Sequence, residues 1–311
     1  MSESGDETRD VTGTIVPPPD PEGPEPESGT ESDRSSWARQ IKRFGILFWL
    51  CVAWLLTVIV ASLLAGFLPL RDPVAQDYGA LSVLPGEQGY LLGTDRLGRD
   101  ILSQAMFGAR ISLTVSVFAV SLGMIVGGGV GMLAGYFRGR TEKVIMAGAD
   151  AMLAFPPIVL LLAVTASIGA STRTLILALG LLGIPAFARL SRANTLTFVN
   201  REFVIAARSL GASNGRILGR EILPNILPPV GAYAFLIVAS LIVAEGSLSF
   251  LGLGIPPPTP TWGRMIAEGR DSLAVSPHIT FIPSAVMFLT VLSFNMIGDR
   301  LREEVDVKEG N

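Results

Sequence analysis

Cysteine and histidine are almost absent from this 311-residue chain, which has one of each, Cys51 and His278. Zinc sites and redox CxxC pairs need several such residues, so neither is expected, and no other metal site is indicated. Cys51 lies in an apolar run and is interpreted as a small buried hydrophobic residue. His278 follows a serine and a proline, and we interpret it as a solvated loop residue rather than a catalytic base.

Lysine is also scarce. The three lysines are Lys42, Lys143 and Lys308, and none of them follows a glycine. A GxxxxGK[ST] phosphate-binding loop is therefore absent. No catalytic constellation stands out either, so the chain is not expected to be an enzyme or to bind a cofactor of its own. The lack of a basic cluster with interleaved aromatic residues argues against a nucleic-acid partner.

Charged residues make up only 16% of the chain, against about 25% in ordinary soluble domains, whereas 49% of the residues are hydrophobic. The net charge of −3 conceals two unlike parts. Residues 1–36 hold ten acids and two bases, together with many prolines, glycines and serines, and we expect them to form a disordered acidic tail. The remainder is apolar and carries a net positive charge, which indicates a membrane protein.

Six apolar runs are candidates for helices that cross a bilayer. Their approximate ranges are 44–68, 111–137, 144–168, 174–188, 226–254 and 279–297. The second run contains six glycines, which favour close packing inside a helix bundle. If the amino terminus is cytoplasmic, 17 Lys and Arg residues fall on the cytoplasmic side and seven on the other. The positive-inside rule thus predicts an all-α membrane protein with six spans and both termini cytoplasmic.

Two carboxylates and a proline pair interrupt these runs. Asp150 and Glu245 lie inside apolar spans, where a charge is costly, so each is expected to face the bundle interior or a wet cavity. A protonated or partnered structural carboxyl is the alternative for both. Phe155 and Pro156 begin a Phe-Pro-Pro sequence near the middle of the third span, which predicts a kink or a local unwinding. We consider all four residues as candidates for a transport pathway or gate, and a static packing kink is the alternative for the proline pair.

The most informative segment is the polar loop at 189–225. A helix is expected from Glu202, Gly211 is expected to break it, and Ser213 is placed to cap a second short helix that Leu223-Pro224 would end. Two short helices joined at a glycine form a compact elbow. The small Ala206 and Ala207 would permit close approach of a partner surface.

This loop resembles the EAA motif of ABC importer permeases, in the version found in the dipeptide, oligopeptide and nickel permeases. Their pattern is similar to E-[FY]-V-x-A-A-R-x-x-G-A-S followed by I-x-x-x-H-I-L-P-N. The matching positions are Glu202, Ala206, Ala207, Arg208, Gly211, Ala212, Ser213, Ile217, Ile222, Leu223, Pro224 and Asn225. Glu221 replaces the histidine that is usual in the family, which leaves the elbow itself unaffected.

Four further segments resemble the C-type subunit of the same group, in the same order. The stretch GTDRLGRD at 93–100, with GARISL at 108–113, resembles its GTDxxGRD segment, although Gln104 replaces a common arginine. Asp150 with the Phe-Pro pair fits the third span, and EGSLSFLGLG at 245–254 with the PTPTWG that follows fits the fifth. GDRLR at 298–302 resembles the terminal motif, with Glu303 in place of aspartate.

The resemblance covers residues from about 40 to 306 and implies the type I ABC importer permease fold. It implies that a coupling region docks on a cytoplasmic ATPase; its residues are Glu202, Ala206, Ala207, Arg208, Gly211, Ala212, Ser213 and Arg216. The implied partners are a second, B-type permease, two ABC ATPase subunits or a fused pair, an extracytoplasmic solute-binding protein and the lipid bilayer. ATP and Mg²⁺ would be bound by the ATPase subunits. Asp95, Arg99 and Asp100 lie on the external side, as a cap on the bundle or as a contact for the binding protein.

The expected function is that of one half of the pathway of an ATP-driven importer of dipeptides and oligopeptides in a bacterial inner membrane. Nickel import is the alternative within the family. A stand-alone proton-coupled transporter that uses Asp150 and Glu245 is the alternative from another class. The expected divisions of the chain are the tail at 1–36, the first span and external loop at 37–110, the permease core at 111–300 and a cytoplasmic tail at 301–311.

Overall fold

The computed structural model describes residues 31–309, with side chains for 45–305. Most of the predicted acidic tail, residues 1–30, lies outside the described residues. The first helix, α1, runs over Glu31–Leu64 and has a non-helical residue at Gly45, where φ is +76°. The other helices are α2 (Ile101–Phe137), α3 (Gly139–Leu153), α4 (Pro157–Ile168), α5 (Thr172–Phe198), α6 (Glu202–Ser209), α7 (Asn214–Arg216), α8 (Leu223–Phe250), α9 (Trp262–Gly269) and α10 (His278–Glu309).

Five stretches of helix in the described residues are long and apolar enough to cross a membrane: Gly45–Leu64, Ile101–Phe137, Thr172–Phe198, Asn214–Phe250 and His278–Val305. The pair α3 and α4 passes the same test as a sixth, broken span, and its halves are bent by 82°. The break lies at residues 154–156, where Pro156 has ψ near +127° and Pro157 begins α4. The predicted interruption by the proline pair is therefore confirmed.

The contact between α2 and α5 organises the bundle. Gly123, Gly127, Gly131 and Gly135 recur every four residues, so they lie along one face of α2. A Cβ atom on Gly127 or Gly131 would overlap the carbonyl oxygen of Ile184 or of Ala188. The two backbones thus approach closely and gain dispersion contacts, as expected for a glycine-rich helix packed inside a bundle.

Helices α8, α9 and α10 pack beside this pair. α8 packs against α2, α5 and α10, and the rings of Phe187 in α5 and Tyr233 in α8 meet edge to face at 5.6 Å. The fully buried Trp262 in α9 donates from its indole nitrogen to the carbonyl of Ala105 in α2 at 3.0 Å. This hydrogen bond attaches α9 to the start of α2. We call this end of the bundle the loop end.

Two boundaries differ from the predictions for the polar loop. Residues 189–198 belong to α5 rather than to a loop, and Leu223-Pro224 does not end a helix. A π-helical turn, Ile217–Ile222, joins α7 directly to α8. Pro224 lies two residues after the π-helical turn, and the helix continues through it into the span.

Candidate functional site: the elbow, two buried clusters and a charged cavity

The elbow is built by local sequence signals. α6 ends in a Schellman arrangement, in which the N–H of Ala212 donates to the carbonyl of Ala207 and that of Gly211 donates to the carbonyl of Arg208, both at 3.0 Å. Gly211 has φ of +80°, a conformation that L side chains rarely adopt. Ser213 then caps α7 by accepting from the Arg216 N–H at 3.4 Å. The predicted break and cap are confirmed.

The elbow has a hydrophobic core of its own. The buried residues that form it are Phe198, Val199, Val204, Ile217, Leu218, Ile222 and Ile226. Tyr136, at the end of α2, anchors the elbow because its hydroxyl donates to Asn214 Oδ1 at 2.8 Å. The guanidinium carbon of Arg208 lies 5.7 Å from the centre of the same ring. The elbow is therefore attached to the bundle as a packed unit; we call this side the elbow end.

The outer surface of the elbow is apolar with charged neighbours. Leu210 is 88% exposed at the tip, and Phe203 and Ile205 are also exposed on α6. Most of the predicted coupling residues share this exposure: Glu202, Ala206, Arg208, Gly211, Ser213 and Arg216. Ala207 and Ala212 instead pack partly against the elbow core. Exposed apolar patches of this kind occur at protein or membrane interaction sites.

At the loop end, Asp95, Arg99 and Asp100, which were predicted to lie on the external side, are buried and not exposed at the surface. Asp95 accepts from the backbone N–H groups of Leu97 and Arg99, from Arg99 Nε at 2.6 Å and from Gln104 Nε2 at 2.9 Å. Arg99 also donates to Glu268 in α9 at 2.5 Å. Asp100 caps α2 by accepting from the Ser103 N–H at 3.0 Å. These contacts make the GTDRLGRD stretch a brace between the loop, α2 and α9.

Burial and neighbouring charges act in opposite directions on Arg99. Burial lowers the pKa of its guanidinium, but the carboxylates of Asp95 and Glu268 outweigh that effect and raise the pKa above its usual value. Arg99 therefore carries a fixed positive charge between two acids. The burial of Arg99 between Asp95 and Glu268 supports a structural role for these two ion pairs.

Arg99→Ala is expected to destabilise the folded chain by about 3 kcal/mol, because Asp95 is left buried without its cation. The measurement is the thermal unfolding midpoint of the purified chain in detergent. Arg96→Ala is the matched control, since the Arg96 side chain is 51% exposed and meets Asp271 only at 3.5 Å. Equal midpoints for the two variants would contradict the bracing role of Arg99.

Glu245 lies within the bundle, as its place in an apolar span predicted. Its carboxylate accepts from Ser112 in α2 at 3.1 Å and from Ser249, one turn further along α8, at 2.8 Å. Ser249 Oγ is also 3.4 Å from Thr261 Oγ1, the cap of α9. Sequence reasoning missed all three hydroxyls, although a serine four residues after Glu245 is the spacing that places two side chains on one helix face. The cluster joins three helices.

Asp150 lies in a different environment. Its side chain is 62% exposed and forms an ion pair with Arg189 of α5 at 2.5 Å. One turn further along α5, Arg192 is paired with Glu142 of α3. The two pairs border an open cavity of about 600 Å³ between α3 and α5. Asp150 thus borders an open cavity rather than the bundle interior, and Phe155 and Pro156, at the nearby break, are exposed.

Known proteins resemble this chain in sequence. The family described as "Binding-protein-dependent transport system inner membrane component" matches residues 127–308, more than half of the chain. A glutathione transport system permease protein GsiD of Pectobacterium atrosepticum is 42% identical over 75% of this chain and 77% of its own length. Its Escherichia coli O6:K15:H31 counterpart is 40% identical over 82% and 84%.

Solved structures resemble it in fold. The inward-facing MetNI methionine ABC transporter has a chain that superposes with a TM-score of 0.53 and 18% identity, over 65% of this chain and 96% of that one. This likeness concerns the fold alone and agrees with the type I importer permease fold that the sequence predicted. Together with the family match and the 40–42% identical relatives, it shows that the chain belongs to the family of binding-protein-dependent transport system inner membrane components, the permeases of ABC importers.

Proposed function

We propose that the chain is the C-type permease subunit of an importer for dipeptides and oligopeptides, including peptides of the size of glutathione. The observation that carries this proposal is the 40–42% identity, over three quarters or more of the chain, to permeases named for glutathione transport. In the proposed complex it forms half of the pathway, beside a B-type permease. A solute-binding protein delivers the peptide from outside the inner membrane.

The elbow is the proposed coupling site. Its exposed apolar tip and flanking arginines suit a cleft on an ATPase, and its own core lets it transmit movement as a rigid unit. Two ATPase subunits, or a fused pair, bind ATP and Mg²⁺ in this scheme. The elbow end is then cytoplasmic, which agrees with the predicted cytoplasmic location of both termini.

The GTDRLGRD stretch is proposed as a cap on the bundle rather than as a contact for the binding protein. This choice rests on the burial of Asp95, Arg99 and Asp100 and on their hydrogen bonds within the chain. Glu245 is proposed to hold α2, α8 and the cap of α9 together through its hydroxyl partners.

Leu210→Glu is expected to weaken capture of the ATPase by the permease pair at least about tenfold, because a charge replaces the most exposed apolar side chain of the patch. Co-purification from detergent at graded ATPase concentrations measures this change. Leu91→Glu is the control, since Leu91 is equally apolar and 73% exposed but lies in the loop before α2. Unchanged capture by the Leu210 variant would reject the proposed docking surface.

Reconstitution of the full complex in liposomes tests the function as a whole. We expect uptake of a labelled tripeptide to require ATP, both ATPases and the binding protein. Uptake of Ni²⁺ without peptide uptake would favour the nickel alternative. Uptake by this chain alone, driven by a proton gradient, would instead support the stand-alone transporter.

A further inference from the structure

The cavity between α3 and α5 has an unusual set of charges for a membrane-spanning region. Five of the side chains that line it are ionisable: Glu142, Lys143, Asp150, Arg189 and Arg192. Three are cations and two are carboxylates, so the lining carries one excess positive charge. We refer to it as the α3–α5 cavity. It lies toward the elbow end, because Gly139, which also lines it, is just beyond the end of α2, where Tyr136 contacts the elbow.

These charges are suited to water or to a polar protein surface and not to lipid. Asp150 and Arg189 are both more than half exposed on the surface of the chain, and an exposed ion pair facing hydrocarbon would be very costly. α3 itself is attached to the bundle with little apolar burial, since Ala149 is its only buried residue among those described. The α3–α5 cavity is therefore expected to border water or a polar partner surface rather than lipid.

The two ion pairs differ in how readily they can exchange partners. The Glu142–Arg192 pair is the less exposed, and both Nε and Nη2 of Arg192 donate to the same carboxylate oxygen. The Asp150–Arg189 pair is joined by one hydrogen bond and is open to solvent. Exposed pairs of that kind are weak. Lys143 is exposed and has no ion pair among the described side chains. Asp150, Arg189 and Lys143 are thus available to an incoming charged ligand.

We propose that the α3–α5 cavity is a transit site for the two charged termini of a peptide. Asp150 receives the peptide ammonium group, while Arg189 and Lys143 receive its carboxylate. The excess positive charge favours peptides with one additional carboxylate. This inference rests on the proposed function, since it names where the imported peptide contacts this chain. Exchange of an exposed internal pair for contacts with the ligand keeps binding weak, as a transport pathway requires for release.

The lone buried cysteine makes the test direct, because Cys51→Ala removes the only thiol of this chain. In that background Met146→Cys places a thiol in the α3–α5 cavity. We expect charged, water-soluble thiosulfonate reagents to label it in the full complex in liposomes. An unblocked tripeptide should slow the labelling, whereas the same peptide with an acetylated amino group and an amidated carboxyl group should not.

Asp150→Asn and Arg189→Gln, each added separately, should weaken the protection by the unblocked tripeptide about tenfold, as expected for loss of one charged hydrogen bond. Glu303→Gln is the control, since Glu303 pairs with Arg300 away from the cavity. Absence of labelling in the Met146→Cys variant, or equal protection by blocked and unblocked peptides, would overturn the inference. The peptide comparison needs no charge variant, so it stands even if one variant fails to fold.

The labelling result is separable from the proposed function. If the unaltered complex shows no ATP-dependent peptide uptake, the proposed function fails. If that uptake is present but the protection does not depend on the charged termini, only the transit site fails.

Discussion

Gly211→Val is expected to abolish most peptide uptake by the assembled complex while leaving the ATPases able to hydrolyse ATP. Gly211 has φ of +80°, and a β-branched residue in that conformation costs about 1–2 kcal/mol. No atom outside its neighbours lies within 4 Å of the position where a Cβ would be placed, so the strain comes from the backbone and not from a clash. The elbow would change its angle, and closure of the ATPases would no longer move the bundle. Uptake and ATP hydrolysis, measured together in liposomes, report this uncoupling.

Gly215→Val is the matched control for this prediction. Gly215 lies four residues further along the same elbow and also has open space around it, but its φ is not positive. We expect peptide uptake by the Gly215→Val complex to stay within about twofold of the unaltered complex, since valine has no lower helix propensity than glycine. Normal coupling of uptake to ATP hydrolysis in the Gly211 variant would show that coupling does not depend on the conformation of Gly211.

Gly131→Val should have the largest effect on folding. A Cβ at this position would overlap the backbone carbonyl of Ala188, and backbone cannot move aside as a flexible side chain can. Overpacking typically costs about 1–3 kcal/mol, and a clash with backbone falls at the upper end of that range. We expect little folded chain in the membrane and a broad, aggregated profile in detergent by size-exclusion chromatography.

Gly129→Val, two residues away on the same helix, separates packing from helix propensity. No atom outside the helix lies within 4 Å of a Cβ at Gly129, because this face of α2 turns away from α5. Valine there should yield a monodisperse chain in normal amount. Equal loss of both variants would mean that α2 does not tolerate valine in general and that the close contact with α5 is not the cause.

Sequence patterns predicted the features that depend on neighbouring residues. The lengths of the apolar runs predicted the approximate spans, and the proline pair predicted the break before α4. Gly211 and Ser213 predicted the elbow. Each of these signals acts within a few residues, through backbone conformation or a local hydrogen bond. These signals can be recognised without knowing which helices pack against each other.

The features that depend on distant residues could not be predicted. Arg189 was assigned to a loop, so its pairing with Asp150, 39 residues earlier, was not foreseen. The Ser112 hydroxyl reaches Glu245 across 133 residues. The sequence predicts that Pro224 ends a helix, because no sequence pattern indicates the π-helical turn that precedes it. Such contacts follow from the packing of whole helices, which composition and spacing do not specify.

A photo-crosslinking amino acid at Leu210 reports whether the elbow of this permease docks on its ATPase. In the assembled complex, irradiation should join this chain to an ATPase subunit, because Leu210 is the exposed tip of the elbow. The same amino acid at Leu91, in the loop before α2, should give no ATPase product. Crosslinking of the ATPase from Leu91 and not from Leu210 would show that the elbow is not the docking site.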